Sequence, residues 1–207
     1  MMRLQPGDRA RLMELLITDT EVNIFLLSVL DRAGIRADTL SPDGTFYGMP
    51  DNGPLRAAVY ITSGGLVVPF ALDPRDVESI GIELRGDVRP RLLVGPRLAT
   101  DAFWRGIQLG YAPRLFREHR LYSLRPGQLT VEPDPEVREA MARDVEVACD
   151  FAAAMQAEEL GIDPRTVDSR KFRSRISQLI RDDRFFVLPV GEIFGFQASA
   201  SAHCVRG

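Results

Sequence analysis

Leu55-Arg56-Ala57-Ala58-Val59-Tyr60-Ile61, then Thr62-Ser63-Gly64-Gly65, then Leu66-Val67-Val68-Pro69-Phe70-Ala71-Leu72: two apolar runs rich in β-formers flank a short polar stretch with paired glycines. Glycine supplies the positive φ of a tight reversal, so the two runs read as adjacent antiparallel strands. Thr45 to Gly48 adds a third strand ahead of them, set off by Asp51-Asn52-Gly53, and the whole is an antiparallel meander. Two helices come before it. Leu12, Leu15, Leu16 and Met13 supply the apolar stripe of the first, which Asp8 can cap. Val22, Phe25, Leu26, Val29 and Leu30 form the apolar face of the second, which restarts near Asp19 and Thr20 and stops at Gly34.

Beyond the meander, Asp73-Pro74 reads as a helix entry, with an aspartate cap and proline in the first turn, and the spacing predicts a helix to about Leu84. Leu92-Leu93-Val94, closed by Gly95-Pro96, suits a strand buried on both faces. A helix over Ala99 to Leu109 should turn Phe103, Trp104 and Ile107 inward, and a last strand is expected near Arg120 to Leu124. Pro126, Gly127, Pro133 and Pro135 then break the pattern. They make 126-135 the linker between a first domain, 1-125, and a second, 136-207.

In the second domain Val137 to Met141 reads as a short strand. Asp144 caps a helix whose inner stripe is Val147, Phe151, Ala154 and Met155, ended by Gly161. A further helix starts at Asp168 or Ser169 and buries Phe172, Ile176, Leu179 and Ile180. Phe185 to Leu188 is a strand that Gly191 turns into a hairpin with Glu192 to Ala200.

A chain of 207 residues, 45% apolar and 27% charged, has the composition of a globular protein of one large domain or two of about 100 residues each. No apolar run approaches the roughly 20 residues that span a bilayer, and no apolar signal core follows the first charges, so the expectation is a cytoplasmic protein without a membrane partner. Cys149 and Cys204 are too few for a disulfide framework, and without C-x-x-C spacing no metal site is expected. A net charge of -3 argues against nucleic acid. The densest basic stretch, Arg165 to Arg184, is diluted by Asp163, Asp168, Asp182 and Asp183, and reads as a solvated helix face. All but one of the 26 basic residues are arginine, a bias spread over the chain rather than gathered on a phosphate-binding face.

The two halves share an order of elements: a short start, two helices, then a strand meander. With Leu4-Gln5-Pro6-Gly7-Asp8, Val22-Asn23-Ile24-Phe25-Leu26-Leu27, Leu93-Val94-Gly95-Pro96 and Ala157-Glu158-Glu159-Leu160-Gly161-Ile162-Asp163-Pro164, the chain resembles bacterial proteins of the GNAT acyltransferase superfamily that carry a GNAT-like N-terminal domain followed by a second GNAT domain. The resemblance implies an α/β (α+β) fold: a mixed, mostly antiparallel sheet flanked by helices, followed by a partial second module. It also implies acyl transfer from acetyl-CoA, as cosubstrate, to a small-molecule or protein amine. In that superfamily the donor sits where the fourth strand parts from the fifth, its diphosphate on an R-x-x-G-x-G/A loop at the start of the third helix, where glycines let backbone N–H groups approach an anion.

That loop is absent here. The corresponding stretch of the first module is Asp73-Pro74-Arg75-Asp76, where two carboxylates oppose a diphosphate and proline lacks a donor, so no cofactor-binding residues are assigned and this chain is not expected to hold acetyl-CoA tightly. The second module stops before its loop. It reads as part of a longer protein or as a naturally shortened relative, inactive as this chain, with an incomplete sheet inviting self-association. The alternative is a non-catalytic binding or protein-interaction module that kept the fold and lost CoA binding.

No catalytic residue is assigned. The acceptor-side candidates are Glu158 and Glu159, at a helix end where carboxylates can attract a cationic amine, and Glu192, at the start of a hairpin strand. His203-Cys204 is the one His/Cys pairing, but neighbours on a strand point to opposite faces. Cys149 and Trp104 read as core residues and His119 as a surface one.

Overall fold

The computed structural model describes residues 1–35, 44–124, 127–128, 130–132, 134–190 and 192–197, with 189–190 and 192–197 described by backbone alone. The chain divides into two compact units, Met1–Arg114 and a second beginning at Leu115. That division precedes the proline-rich 126-135 to which the sequence points.

The first unit runs β1 (Met2–Arg3), a 3₁₀ turn, α1 (Arg9–Leu16), a second 3₁₀ turn, α2 (Ile24–Ala33), β2 (Thr45–Met49), β3 (Ala57–Ile61), β4 (Leu66–Ala71), α3 (Pro74–Glu83), β5 (Leu92–Leu93) and α4 (Arg97–Ile107). Its five strands lie in sequence order, antiparallel except for the parallel β4–β5 pair. The expected hairpin forms at Gly65, whose φ of +82° permits the reversal, and the Thr62 hydroxyl accepts from the Leu66 N–H at 3.1 Å.

Strand alternation then divides the core. Ala58, Tyr60, Val68 and Phe70 pack with Leu12, Leu16, Leu27 and Leu30 of α1 and α2, while Ala57, Val59 and Val67 pack with Val77, Ile80, Phe103 and Ile107 of α3 and α4. The sheet is thus the middle of three layers, which is why β3 is apolar at successive rather than alternate positions. Against the sheet, α3 and α4 approach each other through Gly81 and Gly106. A Cβ on Gly81 would lie 2.8 Å from the Phe103 carbonyl oxygen.

Four sequence expectations for residues 1–125 are corrected. Val22 and Phe25 are exposed, because α2 buries Leu26, Leu27, Val29 and Leu30 instead. Rather than a strand buried on both faces, Leu92–Leu93 is the last strand of the sheet, paired with β4 alone, and Leu92 and the following Val94 are exposed. Trp104 is half-buried, edge-on to Tyr111 with ring centroids 6.2 Å apart. No strand forms at Arg120 to Leu124; among the described residues between α4 and Arg138 there is neither helix nor strand.

The second unit contains β6 (Arg138–Glu139), a 3₁₀ turn, α5 (Val145–Leu160), α6 (Pro164–Arg181), β7 (Phe185–Val190) and β8 (Glu192–Gln197), with the strands antiparallel in the order β6-β7-β8. Gly161, at φ +67°, ends α5 as expected. Within α6, Asp168 leaves helical geometry (φ -158°, ψ 87°) and its carboxylate accepts from the Lys171 N–H at 2.9 Å, so the helix restarts where the sequence places a cap.

The inner stripe of α5 differs from expectation. Ala148, Cys149, Ala152 and Ala153 are buried against Phe172, Ile176, Ile180, Phe185 and Val187, while Met155 is exposed. Small side chains on α5 let the large ones of α6 and β7 fill the interior, and Val147 and Phe151 are only half-buried.

Candidate functional site

Both units enter their first α-helix through the same local construction. In the first, the Gln5 N–H donates to the Asp8 carboxylate at 2.9 Å, the Asp8 N–H to the Gln5 carbonyl at 2.8 Å, and Arg11 pairs with Asp8 at 2.7 Å. In the second, the Met141 N–H donates to Asp144 at 2.7 Å, the Asp144 N–H to the Met141 carbonyl at 2.8 Å, and Arg138 grips Asp144 with two bonds of 2.7 and 3.1 Å.

The backbone agrees closely. Gln5 (φ -111°, ψ 165°) matches Met141 (-110°, 170°), and Asp8 (-86°, 2°) matches Asp144 (-89°, -2°). Just before each turn, the Leu4 N–H bonds the Phe46 carbonyl and the Ala140 N–H bonds the Phe185 carbonyl. Both aspartates therefore close the turn upstream, where the sequence reading had them capping the helix downstream. The Arg138 bond, despite burial, holds the Asp144 carboxyl down at about 2, and the Gln5 N–H lowers that of Asp8. These carboxylates are structural.

In the first unit the parallel β4–β5 pairing spans two residues. Even-numbered residues of β4 bond to β3, as the Leu66 carbonyl does to the Thr62 N–H, so 67, 69 and 71 turn their backbone groups toward β5. The Val67 carbonyl accepts from the Val94 N–H at 3.0 Å. Pairing then ends after Leu66–Leu92 and Val67–Leu93, and the next β4 residue on that side is Pro69, which has no N–H. Gly95 lies close to this proline: a Cβ there would come 3.0 Å from the Pro69 carbonyl oxygen.

Next to β4 in sequence, the start of α3 is satisfied from within. The Asp73 carboxylate accepts the Arg75 N–H at 2.9 Å and pairs with its guanidinium at 3.0 Å, and the backbone bond first lowers its pKa. The Asp76 N–H bonds the Asp73 carbonyl, and Arg56 grips the Asp76 carboxylate with two bonds of 3.0 Å. Each of the two carboxylates thus has an arginine partner.

The residues nominated from the sequence do not assemble into a site. Glu158 and Glu159 stand at the exposed C-terminal end of α5, where the Glu158 carbonyl accepts from Arg117 at 2.8 Å. Glu192 opens β8 opposite Val190, and its side chain lies outside the described residues, as do His203 and Cys204. Cys149 is buried in the α5–α6 core, and burial pushes its thiol pKa up, away from nucleophilic character. His119 is exposed.

A feature missed in the sequence is an open groove of about 470 Å³ in the second unit, between the turn entering α5 and the C-terminal half of α6. Met141, Val145, Ile180, Ser177, Arg173 and Arg181 are among its lining residues, and Arg173 is already engaged by Glu146. No sequence motif marks it, since it arises where two elements distant along the chain meet. Asp183 lines it as well.

Among the described residues no cluster of His, Cys, Asp and Glu could hold a metal ion, and no helix is long and apolar enough to cross a membrane. The fold defines a mixed α/β protein with a five-stranded, mostly antiparallel sheet. No protein-family model, curated protein or solved structure matches the chain.

Proposed function

We infer that this chain is a GNAT-type relative whose reaction class is transfer of an acyl group from acetyl-CoA to an amine, with a first unit that keeps the outline of the donor's seat but not its donors. The observation that supports this reading is the order of the first unit's elements, in which α3 follows β4 and a parallel β4–β5 pair two residues long completes the sheet. The matching entries at Gln5–Asp8 and Met141–Asp144 support a repeated module. Direct transfer needs a base to take the amine proton and a strand N–H to hold the thioester oxygen. In the first unit Pro69 has no amide N–H to offer on the β5 side of β4, and Asp73 occupies one at the start of α3. Those two residues favour a second reading for this unit: a binding module without chemistry.

Calorimetric titration of the chain with acetyl-CoA, beside an assay of CoA thiol release by the complete gene product with polyamine and lysyl-peptide acceptors, tests both readings. The chain is expected to show no binding tighter than millimolar, and the complete product to release CoA only when an amine is present. Micromolar binding by the first unit would overturn the exclusion. Failure of every acceptor would leave the binding module as the better reading.

A further inference from the structure

The two helices of the second unit end in the same backbone conformation with different residues. After α5 the left-handed position is taken by Gly161 (φ +67°); after α6 it is taken by Asp183 (φ +54°), one of two non-glycine residues with positive φ among the described residues. Backbone bonds alone close the turn at Asp183: its N–H donates to the Ile180 carbonyl at 3.2 Å, and the Arg184 N–H donates to the Leu179 carbonyl at 2.9 Å. Glycine would hold this position at lower cost, and among the described residues the Asp183 carboxylate makes no hydrogen bond or ion pair that offsets the difference. A charged side chain kept in a strained conformation without a structural partner has its use outside the fold.

Asp183 lines the groove of about 470 Å³ in the second unit, and so does Arg181. The partner of the Arg181 guanidinium among the described residues is the neutral Gln178 amide oxygen, at 2.6 Å, and Arg181 and Asp183 do not pair with each other. Arg173, the other charged residue of the lining, is already neutralised by Glu146. Met141, Val145 and Ile180 give the groove an apolar surface, with Met141 50% exposed. The volume lies in the range of small-molecule sites, roughly 300–1,000 Å³. One free cation and one free anion beside apolar surface are the complement of a small molecule that carries both charges and an apolar group.

We propose that this groove binds a free α-amino acid with an apolar side chain, its ammonium group on Asp183, its carboxylate on Arg181 and its side chain against Met141 and Val145. The groove lies at the N-terminal end of α5, about 20 Å along that helix from Glu158 and Glu159. The proposal therefore does not rest on the acyl-transfer reading.

Titration of the isotope-labelled full chain, followed by the shifts of its amide resonances, tests it with L-leucine, with isocaproate, which lacks the amine, and with L-leucinamide, which lacks the carboxylate. Leucine is expected to shift the amides of residues 140–145 and 177–183 saturably, with a Kd on the order of 1 mM for so open a site, and each analogue to bind at least fivefold more weakly. Asp183→Asn keeps a residue that tolerates the left-handed position, and Arg181→Gln changes an exposed side chain. Each should weaken leucine binding at least fivefold. Asp183→Gly should do the same while melting no lower than the parent, which separates a lost ligand contact from a lost fold. Absence of saturable shifts up to about 20 mM leucine would overturn the proposal. So would equal binding of either analogue, the mark of a site that reads a single charge, or leucine binding that survives either charge substitution. A lower melting temperature for Asp183→Gly would overturn it too, because the carboxylate would then serve the fold.

Discussion

The Cα of Gly106 on α4 lies directly against the Glu78 carbonyl of α3, so close that a Cβ at Gly106 would be driven into that oxygen. The contact is backbone on backbone and cannot yield by rotating a side chain. Gly106→Ala would gain about 1 kcal/mol of helix propensity, but separating two packed helices costs about 1–3 kcal/mol, and here the clash wins. The first unit should be destabilised by about 2 kcal/mol. Trp104, the one tryptophan of the chain, sits on α4 and reports on this unit alone, so urea unfolding followed by its fluorescence measures the loss. Gly7→Ala, with nothing within 4 Å of its Cβ position, is the control and should change little.

Asp144 links the stability of the second unit to pH. Its folded pKa of about 2 lies below the ordinary 3.8, so the unfolded chain binds the proton more readily. The resulting stabilisation, on the order of 2 kcal/mol, is fully present above pH 3.8 and is lost as pH falls through about 2. Asp144→Asn should lose most of it at pH 7 and flatten the stability profile below pH 4. Urea unfolding followed by circular dichroism across that range checks both.

The buried face of α5 can be tested directly. Ala153→Leu forces added volume into the core with Phe172 and Ile176, and should cost about 1–3 kcal/mol. Ala154→Leu, one position along and exposed, should stay within about 0.5 kcal/mol of the parent. Equal effects would place the helix in the other rotation, with Ala154 and Met155 inward.

At the start of α3, charge and capping can be separated. Asp73→Ala should cost about 1 kcal/mol, while Asp73→Ser keeps an oxygen for the Arg75 N–H and should cost less. On the acyl-transfer reading proposed above, neither should raise acetyl-CoA affinity into the micromolar range, because Pro69 still has no N–H to offer on the β5 side of β4. Calorimetry on Asp73→Ser reads this outcome, and a micromolar constant there would assign the exclusion to the aspartate charge alone.

Features governed by neighbours along the chain were legible before any fold was known. The turn at Gly65, the stops at Gly34 and Gly161, the entry at Asp73-Pro74 and the restart of α6 at Asp168 each depend on bonds or dihedrals spanning about four residues, which residue type dictates. The β2–β3–β4 meander followed from the same punctuation, because apolar runs between firm turns have few ways to pair.

What α5 buries was decided elsewhere. Its large residues suggested the stripe, but the volume of Phe172, Ile176 and Phe185 left room only for its alanines and cysteine. Likewise, the pairing of Asp76 with Arg56, the early parting of β5 from β4 and the exposure of residues 115–124 depend on elements far apart in the chain. No local pattern records whether a distant neighbour will be there to complete a bond or cover a face. Chain-local chemistry thus determined where helices and turns begin and end, and tertiary packing alone decided which faces are buried and how far β5 pairs with β4, because those depend on which volumes fit together.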